Sequence, residues 1–515
     1  MSPVYHVSCC VKVRRNQNEN LPCHHSSTRD RMSGEIHPLG VRPSGNALTS
    51  SREDVERRVR RKEQGLGAFA ALGDALLLRV CESCTPHALA ALAQTSKAMR
   101  AFATHADVWK AAVLETFGGR FRYDTSWFGT FVTAAERERR RERRDDGDVD
   151  DDAARSSKRS KATPMARPTT KVTAEIYSDA LHQRYMCAAM ELEPEWLETS
   201  TVPEETSDEL SVRDFEAKYE TPNVPVVIRG AAKDWRATQT WTRESLVKKF
   251  GDVDFVVGGY DMKLDDFFTL DECEDDVPLY LFDPNFGEKA PELVRDYDVP
   301  EYFAKDDLFS LMGDERPHYR WLIVGAARSG SSFHKDPNAT SAWNAVITGR
   351  KKWVMFPPHV NPPGVHPSED GAHVAAPLSL VEWFSNFYQY AYDGDVMPLE
   401  CICEPGDILF VPSGWWHMAL NLEECVAITQ NFVSKANLRK VIAVLDTKCE
   451  ALLSGLDKSR RGSLGELFNA ALKTSPDDAV RAILTEYETK KASKAKPSAL
   501  GEAFARGASF SFSFA

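Results

Sequence analysis

The reading turns on SSFHKD, Ser331 to Asp336, taken together with GDILFVPSGWWHMAL, Gly406 to Leu420. The first stretch holds a His-x-Asp pair, His334 and Asp336. The second brings a lone histidine, His417, 81 residues after Asp336. In a β-strand, residues two apart face the same way. His334 and Asp336 can therefore both point into a barrel, with Lys335 outside. His417 follows a strand-like run and a Pro-Ser-Gly turn, so a neighbouring strand can deliver it to the same point. Two imidazoles and one carboxylate hold one face of a non-haem Fe(II) ion and leave positions open for a co-substrate, water and O₂. An isolated HxD is common by chance. A third ligand in this order and strand context is not.

The surrounding sequence has strand character. Val224 to Ala232, Tyr319 to Ala327, Lys351 to Pro357, Asp407 to Pro412 and Cys425 to Val433 are rich in Val, Ile, Phe and Trp. Gly/Pro turns and loops separate them, as in an all-β barrel or sandwich. Lys351 lies 15 residues past Asp336, beyond the hairpin-like TSAWNAVITG. Alternation puts Arg350 and Lys352 on the face opposite to Lys351, which favours a buried anion partner for Lys351 over a solvated basic cluster.

Tyr319 to Pro358 together with Cys403 to Phe432 resembles the jumonji-C (JmjC) family of Fe(II)/2-oxoglutarate oxygenases. The nearest group is the phosphatidylserine-receptor-like one, described as arginine demethylases and lysyl hydroxylases. The similarity takes in Val277 to Phe309 and covers roughly Leu210 to Phe432. It implies a mainly β fold with helices: a cupin-like double-stranded β-helix, or jelly roll, flanked by helices. It carries the metal onto His334, Asp336 and His417, and the distal carboxylate of 2-oxoglutarate onto Lys351. It further suggests Tyr280, Asn344 and Thr429 as hydrogen-bond donors to that co-substrate, with Asn431 assisting from the face of Thr429. Ser331 stands where the group usually has threonine and keeps a hydroxyl. Lys335 replaces an apolar residue but should point outward. The activity implied is hydroxylation of a lysyl side-chain carbon, or of an N-methyl group that then leaves as formaldehyde. Fe(II), 2-oxoglutarate and O₂ are required, with ascorbate as reductant. The implied partners are protein substrates, histone tails or RNA-associated proteins, acted on by a chromatin regulator in the nucleus or also in the cytoplasm.

The flanks read differently. Residues 1–64 are polar and are expected to be a disordered leader. Residues 65–132 are dense in Ala and Leu at three- and four-residue spacing, the mark of amphipathic helices. Thr85-Pro86 gives an N-cap and a first-turn proline. This region resembles an F-box through Leu72, Leu76, Leu77, Val80, Leu89, Leu92, Val108 and Trp109. That resemblance implies docking on a Skp-family adaptor of a cullin ubiquitin ligase, with the JmjC domain then serving mainly for binding. A helical bundle of other purpose explains the same pattern. Residues 133–178 form a charged linker, with six arginines in Arg137–Arg144 and six aspartates in Asp145–Asp152. Its basic clusters, including Lys158–Lys161, are either import signals or a solvated helical extension. The jelly-roll domain is expected over 179–435 and helices over 436–490, covering the barrel or forming a homodimer. A flexible tail is expected over 491–515.

Composition sets outer bounds. The 515 residues suffice for two or three cores, and the charge of −12 argues against a coat for nucleic acid. No apolar run of about 18 residues marks a membrane span. Eleven scattered cysteines suit a reducing compartment. Cys81 and Cys84 read as buried thiols rather than zinc ligands. Cys9, Cys10, Cys23, His24 and His25 lie in polar, unpatterned sequence.

Overall fold

The computed structural model describes residues 37–45, 50–145, 173–304, 307–447 and 449–495. The strands are β1 (Glu204–Thr206), β2 (Val226–Arg229), β3 (Asp254–Val257), β4 (Tyr260–Lys263), β5 (Leu281–Asp283), β6 (Arg320–Gly325), β7 (Gly330–His334) and β8 (Ser341–Thr348). They continue with β9 (Lys351–Phe356), β10 (His366–Pro367), β11 (Val374–Ala375), β12 (Leu399–Cys403), β13 (Ile408–Val411), β14 (Trp416–Asn421) and β15 (Cys425–Phe432).

Nine strands form a large sheet in the order β1-β2-β13-β8-β15-β6-β5-β3-β4, and four form a smaller one in the order β12-β9-β14-β7. Both follow from the alternation of apolar side chains. On β15, Val426, Ile428 and Phe432 enter a core outside the large sheet, while Ala427, Thr429 and Asn431 face inward. On β9, Trp353 and Met355 face inward, whereas Val354 and Phe356 pack under an outer layer that includes the helix Leu380–Phe387. The two inner faces enclose the site. This is the jelly roll that the sequence leads one to expect.

The hairpin-like reading of TSAWNAVITG needs correction. Its strand, β8, pairs with β13 and β15 in the large sheet, whereas β9 belongs to the small one. Gly349, at φ +75°, turns the chain from one sheet into the other, and a Cβ there would lie 2.2 Å from the Glu424 carbonyl oxygen.

The helical region folds as four short helices, Asp74–Glu82, Pro86–Leu92, Lys97–Ala103 and Ala106–Phe117. Thr85 caps the second as expected, its side chain accepting from Ala88 N–H. Cys81, Leu77, Leu89, Val108 and Trp109 form its interior. The module is tied to the barrel by Lys110–Asp275 (2.7 Å) and by Arg184, which reaches Asp276 (2.9 Å) and Asp107 (3.3 Å).

Several expected boundaries shift. A helix, Arg52–Leu66, lies inside the supposed leader, capped by Ser51 and closed onto the bundle by buried Leu66. Its charges pair with one another (Arg52–Glu56) and with Asp74 through Lys62, so a composition that looks disordered is a paired helical surface. The helix Trp127–Asp145 extends through the arginine run, as the alternative of a helical extension allowed, because Trp127, Phe131 and Ala134 anchor its first turns. Ala174 and Ile176, assigned to the linker, are buried against the folded unit. The helix Asp478–Ala495 runs past the expected end of the C-terminal helices. Residues 1–36, which include the Cys/His group, the basic cluster Lys158–Lys161 and the last twenty residues lie outside the described residues.

The C-terminal leucines Leu445, Leu464 and Leu472 pack with Phe309 and Phe468 within the chain. Among the described residues no single helix is long and apolar enough to cross a membrane.

Candidate active site

The small sheet presents His334 on β7 directly opposite His417 on β14. The two ring centroids are 4.2 Å apart. Each ring donates Nδ1–H to the carbonyl two residues back in its own strand, His334 to Ser332 (2.8 Å) and His417 to Trp415 (3.1 Å). A carbonyl can only accept, so this bond fixes the tautomer and leaves both Nε2 lone pairs free. Asp336 Oδ1 lies 3.9 Å from His417 Nε2. Its Oδ2 is buried without a hydrogen-bond partner. One ligand atom from each of the three residues falls within a 4.8 Å cluster.

The electrostatics agree with a site built for a cation. Burial pushes the Asp336 carboxyl above its ordinary range, the neighbouring His334 opposing this. Burial first, and His334 second, hold His417 well below the usual histidine range, so its imidazole is the neutral form that binds metal. A carboxylate, two oriented imidazoles and an orphaned carboxylate oxygen fit a divalent transition metal.

Asp336 stands just beyond the end of β7, and its turn is held from two sides. Asn338, in a left-handed conformation at φ +59°, makes two hydrogen bonds with the backbone of Ser454 (3.0 and 3.1 Å). Asn431 hydrogen-bonds the Asp336 carboxylate and donates to the Thr340 hydroxyl at 2.9 Å. The resemblance has Asn431 assisting the co-substrate from the face of Thr429; in the structure that face also brings it beside the Asp336 turn, where β15 ends.

The other expected residues surround the same space. Lys351 is 3% exposed, and no carboxylate pairs with it among the described residues. Its neighbour Lys352 is equally buried but lies on the outer face, paired with Glu400 at 2.7 Å. Ser331 reaches the interior through a bulge. Between His334 and Ser331, β7 spends three residues where β14 spends two, His417 to Ala419. The extra residue brings two positions an odd number apart onto one face. The Ser331 hydroxyl then lies 3.4 Å from the Tyr280 hydroxyl. Asn344 is buried with Oδ1 unpartnered. The Thr429 hydroxyl donates to the Trp343 carbonyl at 2.9 Å and so offers lone pairs, not its proton, to the interior. Lys335 points outward as expected, over the Trp416 ring at 4.6 Å.

Two residues escaped the sequence reading. Asn421 sits opposite Lys351, fully buried, its amide donating to Ser329 Oγ (2.9 Å) and its Oδ1 unpartnered. Trp353 lies between the Lys351 ammonium (5.9 Å from its ring) and His417 (6.1 Å), with its N–H unpartnered. Counting in twos from His417 and from Lys351 reaches both.

Comparison with known proteins agrees with this geometry. A family model described as a cupin-like domain matches residues 260–437. The chain is 42% identical over 459 residues to an "Arginine-specific demethylase JMJ22" of Arabidopsis thaliana, covering 89% of this chain and 84% of that protein. The chain belongs to the JmjC family of Fe(II)/2-oxoglutarate oxygenases. A "Bifunctional arginine demethylase and lysyl-hydroxylase psr-1" of Caenorhabditis briggsae shares 39% identity over 47% of this chain and 64% of its own length. A "2-oxoglutarate and iron-dependent oxygenase JMJD4" of Danio rerio shares 34% over 31% and 37%. Among the described residues, the interior thus joins a His–Asp–His ligand face to a buried ammonium that pairs with no carboxylate.

Proposed function

We propose that this chain is a protein oxygenase that uses Fe(II) and 2-oxoglutarate to demethylate arginine or hydroxylate lysine side chains, in the nucleus, on histone tails or RNA-associated proteins. The observation that carries the reading is the pairing of an oriented His334–Asp336–His417 set with buried, unpaired Lys351. Fe(II) bound there with 2-oxoglutarate and O₂ would supply the oxidising power for a substrate C–H bond, with succinate and CO₂ as co-products.

The chain's own residues have separate tasks. His334, Asp336 and His417 hold the ion on one face. Lys351 supplies the cation for the distal carboxylate, a charge-assisted bond of about 1.5–3 kcal/mol in this dry interior. Tyr280, Ser331 and Asn344 offer polar atoms to the same space from the two facing sheets. Trp353, Met355 and Ala419 exclude water from the space between. The test is succinate release from 2-oxoglutarate by purified protein with Fe(II), ascorbate and methylated histone peptides, beside Asp336→Ala. Peptide-stimulated release lost in the variant supports the reading. A gain of one oxygen reports hydroxylation, and loss of a methylene reports demethylation. Bound iron with no turnover on any peptide counts against it.

A second reading is supported by the helical module. Leu76 is 59% exposed beside fully buried Leu77, and Phe69 is exposed on the preceding turn. An F-box-like surface for a Skp-family adaptor would use such side chains. Binding of a purified adaptor, lost on Leu76→Asp, tests it.

A further inference from the structure

The inner wall of the large sheet carries one feature that neither the metal nor 2-oxoglutarate uses. Phe282 on β5 and Trp321 on β6 stack with ring centroids 5.5 Å apart and planes 18° from parallel. Phe282 is 37% exposed. Both belong to the inward face, since Leu281, Leu322 and Val324 enter the outer core. Tyr280 continues the wall, its ring 6.2 Å from Phe282 and its hydroxyl at Ser331. Trp321 pairs with Thr429, two residues from the Asn431 that holds Asp336. The stacked pair therefore lies on the inner face of the large sheet, with the partly exposed Phe282 at one end and Trp321 beside the strand that carries Thr429 and Asn431.

We propose that the Phe282–Trp321 plate is the specificity-determining platform on which an arginine guanidinium of the protein substrate lies as it reaches the triad. This rests on the protein-oxygenase reading above and narrows it to arginine. Aromatic faces attract cations through their quadrupole. Guanidinium is planar and weakly hydrated and stacks on such faces more readily than the compact, strongly hydrated lysine ammonium. Strands β5 and β6 contain one carboxylate, Asp283. It is buried on the opposite face and paired with Lys289 at 2.9 Å. The wall thus offers stacking area without a counter-charge, which favours arginine.

The test is calorimetric titration of the full chain, loaded with 2-oxoglutarate and Mn(II) in place of iron. The ligands are a Gly/Ser peptide carrying several arginines and its lysine counterpart. The expected result is tighter binding of the arginine peptide. Phe282→Leu and Trp321→Leu should each weaken it about tenfold, with lysine binding unmoved and Phe282→Tyr close to wild type. Phe282 is partly exposed, so its variants carry the test should Trp321→Leu fail to fold. Equal affinity for both peptides, or unchanged arginine affinity in Phe282→Leu, overturns the platform. Binding and succinate release with the lysine peptide alone also overturn it, while leaving the protein-oxygenase reading intact. If the wild type binds neither peptide and neither stimulates succinate release, that underlying reading falls too.

Discussion

Adjacent lysines, Lys351 and Lys352, should respond oppositely to the same substitution. Both are almost fully buried. Lys352 meets Glu400 at 2.7 Å and the Thr199 carbonyl at 2.8 Å, and Tyr388 and Tyr392 hydrogen-bond the same carboxylate. Lys352→Met leaves Glu400 as an uncompensated buried charge, at about 3–5 kcal/mol. For a unit of this size that is a fall in Tm of about 10 °C. Lys351 has no such partner, and its ammonium is held in the interior against its own desolvation. Lys351→Met removes that burden and keeps the volume, so the ligand-free protein should melt at the same temperature or higher. 2-Oxoglutarate at about a hundred times its Kd should add about 2.7 kcal/mol to the wild type. Loss of a charge-assisted bond weakens binding about 10- to 100-fold, so the variant should show little of that gain. Thermal melts of the three proteins with and without 2-oxoglutarate check both halves. The reasoning is refuted if Lys351→Met destabilises the ligand-free protein like Lys352→Met, or keeps the full 2-oxoglutarate response.

Gly330, at φ +150°, lies where a Cβ would stand 2.0 Å from the Ala419 carbonyl oxygen. Gly330→Ala should part β7 from β14 and lower Tm and Co(II) affinity together, by several kcal/mol in stability. Burial, with Asp107 and Asp275 as like charges, pushes Asp276 up to about 7 against the pull of Arg184. A carboxyl raised in the fold gives stability that is present at low pH and lost as pH rises toward 7. Tm should therefore fall between about pH 4 and pH 7 and level off above that, and Asp276→Asn should flatten that slope. Asn338→Ala removes both bonds to Ser454, leaves a left-handed residue without its side-chain anchor, and should cost about 1–3 kcal/mol, read by chemical unfolding.

The metal ligands and the β architecture were legible because both depend on a period of two, which a sequence displays directly. The same counting extends to Asn421 and Trp353. The bulge in β7 was not legible: nothing in SSFHKD announces an extra residue, and only pairing with β14 reveals it. Lys351 and Lys352 look alike in the chain, since Glu400 lies 48 residues beyond Lys352 and meets it only across the β12–β9 pairing. The helix Arg52–Leu66 was obscured by its composition. Its stability comes from i,i+4 pairing and from contacts with residues more than a hundred positions away, such as Arg61 with Glu175. Asn431 was placed by its face alone, and its closeness to Asp336 depends on where β15 stops.

The two histidines hydrogen-bond into their own strands and face each other across one rung of the β7–β14 ladder. A ring that swings away must give up its hydrogen bond to its own strand, so the ladder that fixes those carbonyls also steadies both ligands. Opening of that ladder is expected to set the residence time of a bound ion. Metal release and amide hydrogen exchange along β7 and β14 should share one rate and one temperature dependence.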